Sequence, residues 1–216
     1  MTPQRDVAAI VLAAGSGARF GGPKQFTRAG TARLVDLAID CLAPVATTIV
    51  VVVPTETRWN GAGTAVAGGE TRSESVQHGL ARVPVDAAIV VVHDAAHPLA
   101  RTSLVEALVR AVRDGADGAV PVLATRETVA YTDGNDLGPA VPRAGLVQVQ
   151  MPHAFRTSLL RAAHTSATSA TDDATLFQEL GHRVVTVDGD PRNIHVTTPA
   201  ELELIRRIRD NERRLP

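Results

Sequence analysis

The densest chemistry in the chain lies near its start, in AAGSGARFGGPKQF (Ala13–Phe26). Four glycines surround an arginine, Arg19, and a lysine, Lys24, set directly after Pro23. An apolar run from Val7 to Ala13 leads into the loop, and a helical pattern follows it. Strand, glycine loop and helix in that order turn backbone N–H groups toward an anion, and phosphate is the anion such loops hold. Two common versions are excluded. A dinucleotide fingerprint needs glycine at position 20, which is Phe20. A Walker A loop needs lysine directly after its last glycine and then Ser or Thr, whereas Pro23 intervenes and Gln25 follows.

The elements that must hold this loop read as α/β. Apolar strands are expected at Thr48 to Val53, Ala87 to Val92 and Gly118 to Leu123. Helical periodicity falls on Thr31 to Leu42, Ser73 to Ala81, Arg156 to Thr165 and Asp172 to Leu180. Another helix, capped by Thr102 or Ser103, runs to about Asp114, and a last one begins near Pro199. Short strands are expected at Val184 to Val187 and Ile194 to Val196. Pro54 to Gly68 reads as a loop, and Thr165 to Thr171 as a surface loop. Glu127 to Gln150 reads as a projecting β-arm turning at Asp133-Gly134, whose exposed edges want a partner.

The 216 residues suit one α/β domain, and they carry a net charge of −1 with 3% aromatic residues. Neither a basic face nor stacking platforms for nucleic acid are expected. The single cysteine, Cys41, permits no internal disulfide, which fits a reducing cytoplasm. The first residues lack a signal-peptide layout, and no apolar run is long enough to span a bilayer.

The loop pattern A-A-G-x-G-x-R, a spacer, then P-K resembles nucleotidyltransferases that join a nucleoside triphosphate to a sugar phosphate. Further motifs narrow the resemblance to the 2-C-methyl-D-erythritol 4-phosphate cytidylyltransferase family. GGETRSESVQHGL (Gly68–Leu80) resembles its base-reading loop, and HDAAHP (His93–Pro98) its H-D-A-A-R-P. ETV (Glu127–Val129) resembles its D-T-I, and PRAGL, QMPHAF, TDDATLFQELG and NIHVTTPAEL follow in family order. The resemblance covers nearly the whole chain.

It implies a Rossmann-like three-layer nucleotidyltransferase fold in one domain, with the 127–150 arm building a homodimer. It also implies transfer of CMP from CTP to methylerythritol phosphate in the non-mevalonate route to isoprenoids. Ala13, Ala14, Gly15 and Gly17 would line the nucleotide. Gly69, Glu70 and Ser75 would read cytosine, and Arg72 would support their loop. Lys24 and Arg19 would neutralise the triphosphate, and Asp94 would hold Mg²⁺. Thr128 and Arg143 would contact the acceptor, Arg143 from a partner subunit. The acceptor oxygen attacks the α-phosphorus, so catalysis is positioning and charge stabilisation.

The departures cluster on the acceptor side. The family's H-D-A-A-R arginine is His97, the lysine of N-I-K is His195, T-P-Q reads Met151, Pro152 and His153, and the lysine after D-T-I is Ala130. Two lost charged hydrogen bonds would cost roughly 3–6 kcal/mol. Three readings follow. The histidines bind the acceptor phosphate as weaker ligands, and turnover then improves as pH falls toward 6. Alternatively the chain is a paralogue acting on another polyol or sugar phosphate, or a nucleotide-binding homologue without turnover. His93 and His97, four apart, or His97 with His153 and His195, also raise a transition-metal site. His78, His164 and His182 read as surface residues, and Asp172 and Asp173 as a helix cap and first-turn acid.

Overall fold

A computed structural model of the chain describes residues 4–166 and 172–214. In chain order the elements are β1 (Gln4–Leu12), a 3-10 turn (Lys24–Phe26), β2 (Arg28–Ala29), β3 (Ala32–Arg33), α1 (Leu34–Leu42), β4 (Ala46–Val53), β5 (Thr64–Ala67), α2 (Arg72–Leu80), β6 (Ile89–Asp94) and α3 (Thr102–Arg113). Then come β7 (Gly118–Ala124), β8 (Val129–Asp133), β9 (Asp136–Val141), β10 (Val147–Val149), β11 (His153–Arg156), α4 (Thr157–Ser166), α5 (Asp173–Glu179), β12 (Val184–Asp188) and α6 (Pro199–Arg214).

The main sheet runs β10-β7-β11-β6-β1-β4-β5, with β12 added along β7. β1 is parallel to β4 and β6, β4 to β5, and β12 to β7; β10 and β11 run antiparallel to β7. β1 is central because both its faces are apolar. Val7, Ala9 and Val11 point to one side, Ala8 and Ile10 to the other, and all five are fully buried. α1 and α3 cover the first face; α2, α4 and α5 cover the second. α3 does so with an apolar stripe of Leu104, Val105, Leu108, Val109 and Val112. α6 packs on α1 through Leu202 and Ile205 against Leu34 and Leu37.

Several boundaries differ from the sequence reading. The Pro54 to Gly68 segment contains β5, a short parallel edge strand whose alanines carry little strand signal. α1 starts at Leu34 because Ala32 and Arg33 first pair with β2, and Arg33 then bonds Asp36 around the helix start. Arg101 occupies the position before α3, so Thr102 lies inside the helix and caps nothing. Ile194 to Val196 form no strand; Val196 N–H donates once to the Ala96 carbonyl at 2.8 Å. β11 was missed because its four residues lie against a helix start. Thr165 and Ser166 close α4, and the rest of the expected loop, 167–171, lies outside the described residues. The arm is a β8–β9 hairpin turning at Asp133 to Asp136, and its return strand, β10, rejoins the main sheet.

Candidate active site

The C-terminal ends of β1 and β6 open into a pocket of about 490 Å³. The glycine loop forms one wall. Gly17 sits at φ +67°, where a Cβ would come within 1.8 Å of the Gly22 carbonyl oxygen, so the residue must be glycine. Its own carbonyl accepts from the N–H groups of Phe20, Gly21 and Gly22, which curls the loop. Gln25, buried, donates to the Gly15 carbonyl at 3.1 Å and pins the loop from below; its role was not read from the sequence.

The start of α2 forms the opposite wall. Thr71 Oγ1 accepts from Glu74 N–H at 3.1 Å, and the Glu74 carboxylate accepts from Thr71 and Glu70 N–H at 3.1 and 2.7 Å. This reciprocal cap fixes the preceding turn. Buried Ser75 accepts from Gly69 N–H at 3.2 Å. A side chain at Gly68 would meet the Ala14 Cβ at 2.4 Å, so the two walls touch. Ala13, Ala14, Gly15, Gly69, Glu70, Ser75, Lys24, Asp94 and His195 all line this pocket.

Lys24 donates through Nζ to the Val196 carbonyl. Burial lowers its pKa and Arg19 adds to that, while Asp94 and Glu201 oppose. Asp94 ends β6; its backbone carbonyl accepts from His97 N–H at 3.0 Å, while its carboxylate accepts no hydrogen bond and forms no ion pair among the described residues. Burial raises its pKa, with Arg72, His195 and Lys24 pulling the other way. A carboxylate with its lone pairs open toward a phosphate-sized pocket suits a hard divalent cation that keeps part of its water shell.

A second depression, about 690 Å³, adjoins the first and shares Arg72, Asp94 and His195 with it. Arg19 faces this depression, not the loop pocket. So does His153, whose ring nitrogens are buried without a well-formed hydrogen bond. His97 lines neither space. It is 7% exposed and stacks on His195 with ring centres 4.5 Å apart. Burial pushes its pKa down to about 2, with His195, His93 and His153 adding to the shift. Burial likewise brings His153 to about 4 and His93 to about 3, and lowers His195, where Lys24 also contributes. Burial thus favours the neutral form of these rings in the folded chain, against the expectation of histidine cations on the acceptor phosphate. Nor do they make a metal centre: among the described residues no three His, Cys, Asp or Glu gather to hold an ion.

Thr128 and Arg143 are exposed on the arm and reach neither space; the Arg143 guanidinium bonds the Arg126 carbonyl. His164 is buried, contrary to the sequence reading. Its Nε2 lies 2.9 Å from Asp173 Oδ1 and its Nδ1 3.1 Å from Ser73 Oγ. Asp172 caps α5, accepting from Ala174 and Thr175 N–H at 2.9 Å. Asp173 is 1% exposed and pairs with Arg72 at 2.8 Å as well as with His164. The spacing between Arg72 and Asp173 gave no sign of this pair.

A curled glycine loop at the strand ends, facing a capped helix start across a lysine and an open carboxylate, is the site of a nucleotidyltransferase. The comparisons agree and go further. The family model described as 2-C-methyl-D-erythritol 4-phosphate cytidylyltransferase, IspD, matches residues 7–209, and the chain belongs to that family. The chain is 40% identical to the protein of that name from Nocardia farcinica, over 94% of each. It is 40% identical to the Deinococcus radiodurans protein, covering 91% of this chain and 87% of that one. It is 41% identical to a bifunctional IspD/IspF enzyme of Rhizorhabdus wittichii, of whose length it spans 56%. The crystal structure of the Thermus thermophilus cytidylyltransferase superposes with a TM-score of 0.84 at 30% identity, over 93% of this chain and 98% of that one.

Proposed function

We propose that the chain transfers the cytidylyl group of CTP to 2-C-methyl-D-erythritol 4-phosphate and releases pyrophosphate, a step of non-mevalonate isoprenoid synthesis. The family match across residues 7–209 carries this reading. The glycine loop would hold the triphosphate with its N–H groups. Gly69, Glu70 and Ser75 would read the base against the capped turn before α2. Lys24, held by the Val196 carbonyl, would stand on the phosphate chain and offset charge as pyrophosphate leaves. The attacking oxygen already belongs to an ionised phosphate, so the site needs no strong base; it needs alignment.

Asp94 is the residue that would bind Mg²⁺, on the strength of its open carboxylate. When bound, the ion would neutralise charge on the phosphates. The arm would pair two copies of the chain. Tyr131 and Leu137 are 66% and 84% exposed on the hairpin, and Val147 and Val149 are open beside it. In that assembly Thr128 and Arg143 would serve the partner's acceptor site. No helix among the described residues is long and apolar enough to cross a membrane, and a cytoplasmic setting suits a single buried thiol.

The alternative acceptor class is another polyol or sugar phosphate, since His97 and His195 stand where the family carries an arginine and a lysine. Pyrophosphate release should therefore be measured with CTP, Mg²⁺ and methylerythritol 4-phosphate at pH 6 and 8, with ribitol and erythritol phosphates in parallel. Turnover with methylerythritol phosphate at least tenfold above the others is expected. Preference for another polyol phosphate moves the assignment there; CTP binding without release with any acceptor overturns it.

A further inference from the structure

An acceptor phosphate must reach the α-phosphorus of a nucleotide seated on the glycine loop, so it has to lie where the two depressions meet. Arg72, Asp94 and His195 line both spaces. Asp94 repels a phosphate unless a cation stands between them. His195 lies stacked on His97 and carries no permanent charge. Arg72 does, and its side chain is 29% exposed. Its Nη1 donates to Asp173 Oδ2 at 2.8 Å, and its other N–H groups make no hydrogen bond among the described residues. A guanidinium pinned along one edge presents the rest of its planar fork, the geometry that matches a phosphate.

The pin is itself held. Asp173 receives His164 Nε2 on its other oxygen at 2.9 Å, and Ser73 Oγ shares a hydrogen bond with His164 Nδ1 at 3.1 Å. Because the carboxylate only accepts, Nε2 carries the proton. The chain Ser73–His164–Asp173–Arg72 thus ties α2 to α4 and α5 and leaves one free guanidinium face at the junction. A buried carboxylate with two charge-assisted partners is a rigid support, and losing either partner exposes the other to the desolvation cost.

We propose that Arg72 binds the phosphate of the acceptor substrate, with Asp173 and His164 as positioning residues that aim it. This rests on the cytidylyltransferase reading and deepens it: beside whatever the arm of a paired copy supplies, the acceptor's countercharge from within one copy comes from an arginine on the nucleotide-side helix, not from the histidines.

The test compares the unaltered protein with Arg72→Gln, Arg72→Lys and His164→Gln, measuring KM for CTP and for methylerythritol 4-phosphate separately, beside melting temperature. Arg72→Gln should raise the acceptor KM at least 30-fold and move the CTP KM less than threefold. Arg72→Lys, one charge without the fork, should raise the acceptor KM about five- to 20-fold and remains readable if the glutamine variant does not fold. His164→Gln should raise it three- to tenfold with Arg72 intact. An acceptor KM within threefold of the parent in a folded Arg72 variant overturns the proposal, as does an equal rise in the CTP KM. If the unaltered protein releases no pyrophosphate, the cytidylyltransferase reading fails on its own. Arg72 is then read by calorimetry with inorganic phosphate on the CTP-loaded protein. Binding at least tenfold weaker in Arg72→Lys is expected, and equal binding overturns the assignment.

Discussion

The proposed nucleotide side and the proposed acceptor side of this site are built from different materials. The nucleotide side is mostly backbone: a glycine loop curled on the Gly17 carbonyl, and a helix start fixed by the Thr71–Glu74 cap. The acceptor side is mostly side chains drawn from β7, β10, β11, α5 and the segment before α6. Backbone donors keep their polarity wherever they are buried. Side-chain charge survives burial only with a partner, which Arg72 has in Asp173 and which His97 lacks at its buried Nδ1. Cationic character on the acceptor side is therefore decided by packing, and a count of basic residues does not reveal it.

The largest effect should come from the one lysine of the loop pocket. Lys24→Met removes the charge proposed to face the phosphates while its methylene stem stays packed. kcat/KM should fall about 10²- to 10³-fold, the usual loss for one charge-stabilising donor. The melting temperature should change little, since among the described residues the Lys24 side chain bonds only one carbonyl. A fall under tenfold would mean that the nucleotide side works through backbone alone.

Gly17→Ala tests the backbone half of the comparison. The left-handed conformation costs an alanine about 1–2 kcal/mol, and its Cβ would meet a backbone oxygen that cannot step aside. The CTP KM should rise about ten- to 100-fold, consistent with that strain plus a displaced loop. Gly21→Ala is the control: its φ is +88°, but nothing lies within 4 Å of the added carbon. It should cost less than Gly17→Ala by threefold or more. Equal losses would show that loop shape matters less than flexibility.

The same division decides how much could be read from the residues alone. Val7 to Ala13, Thr48 to Val53 and Gly118 to Leu123 announced their strands because both faces of a central strand are apolar. The loop pocket was legible because contiguous residues build it and small residues are required at fixed places. β5 and β11 were not legible: four-residue strands owe their existence to the neighbours they pair with. The Arg72–Asp173 pair joins residues 101 positions apart, and no local pattern marks it. His97 was read as a phosphate ligand because its type and place allowed that. Its burial, which pushes its pKa down, and its place outside both spaces emerge only from the packing.

Acid should act on the buried histidines beside the site first. His93, His97 and His153 are held neutral in the folded chain, with pKa values near 3, 2 and 4. Unfolded, each takes up a proton near its ordinary value of 6.5. Below that value the unfolded chain binds more protons, so stability is full above about pH 6.5 and falls as pH drops toward 4. The slope should be on the order of 1 kcal/mol per histidine per pH unit. Urea midpoints at pH 7.5, 6 and 5 would check it; a midpoint flat over that range would mean the rings protonate without unfolding. Activity between pH 6 and 8 should show no histidine-dependent limb in the acceptor KM.

The smallest effect is the sharpest test of the contrast. His97→Leu replaces a neutral, buried ring whose Nδ1 has no well-formed hydrogen bond with an apolar side chain that needs none. Removing an unpaired polar atom relieves a desolvation cost of about 1–3 kcal/mol, and the looser fit against His195 returns part of it. Net stability at pH 7.5 should stay within about 1 kcal/mol of the parent. The acid slope should lose the share of one histidine, because one proton uptake has been deleted from the unfolded chain. The acceptor KM should change less than threefold, since His97 lines neither depression. A tenfold rise would put a polar contact from His97 on the substrate and erase the distinction between the two sides. A small change, alongside a large one for Arg72→Gln, would locate the acceptor's electrostatics in the buried Asp173–Arg72 support.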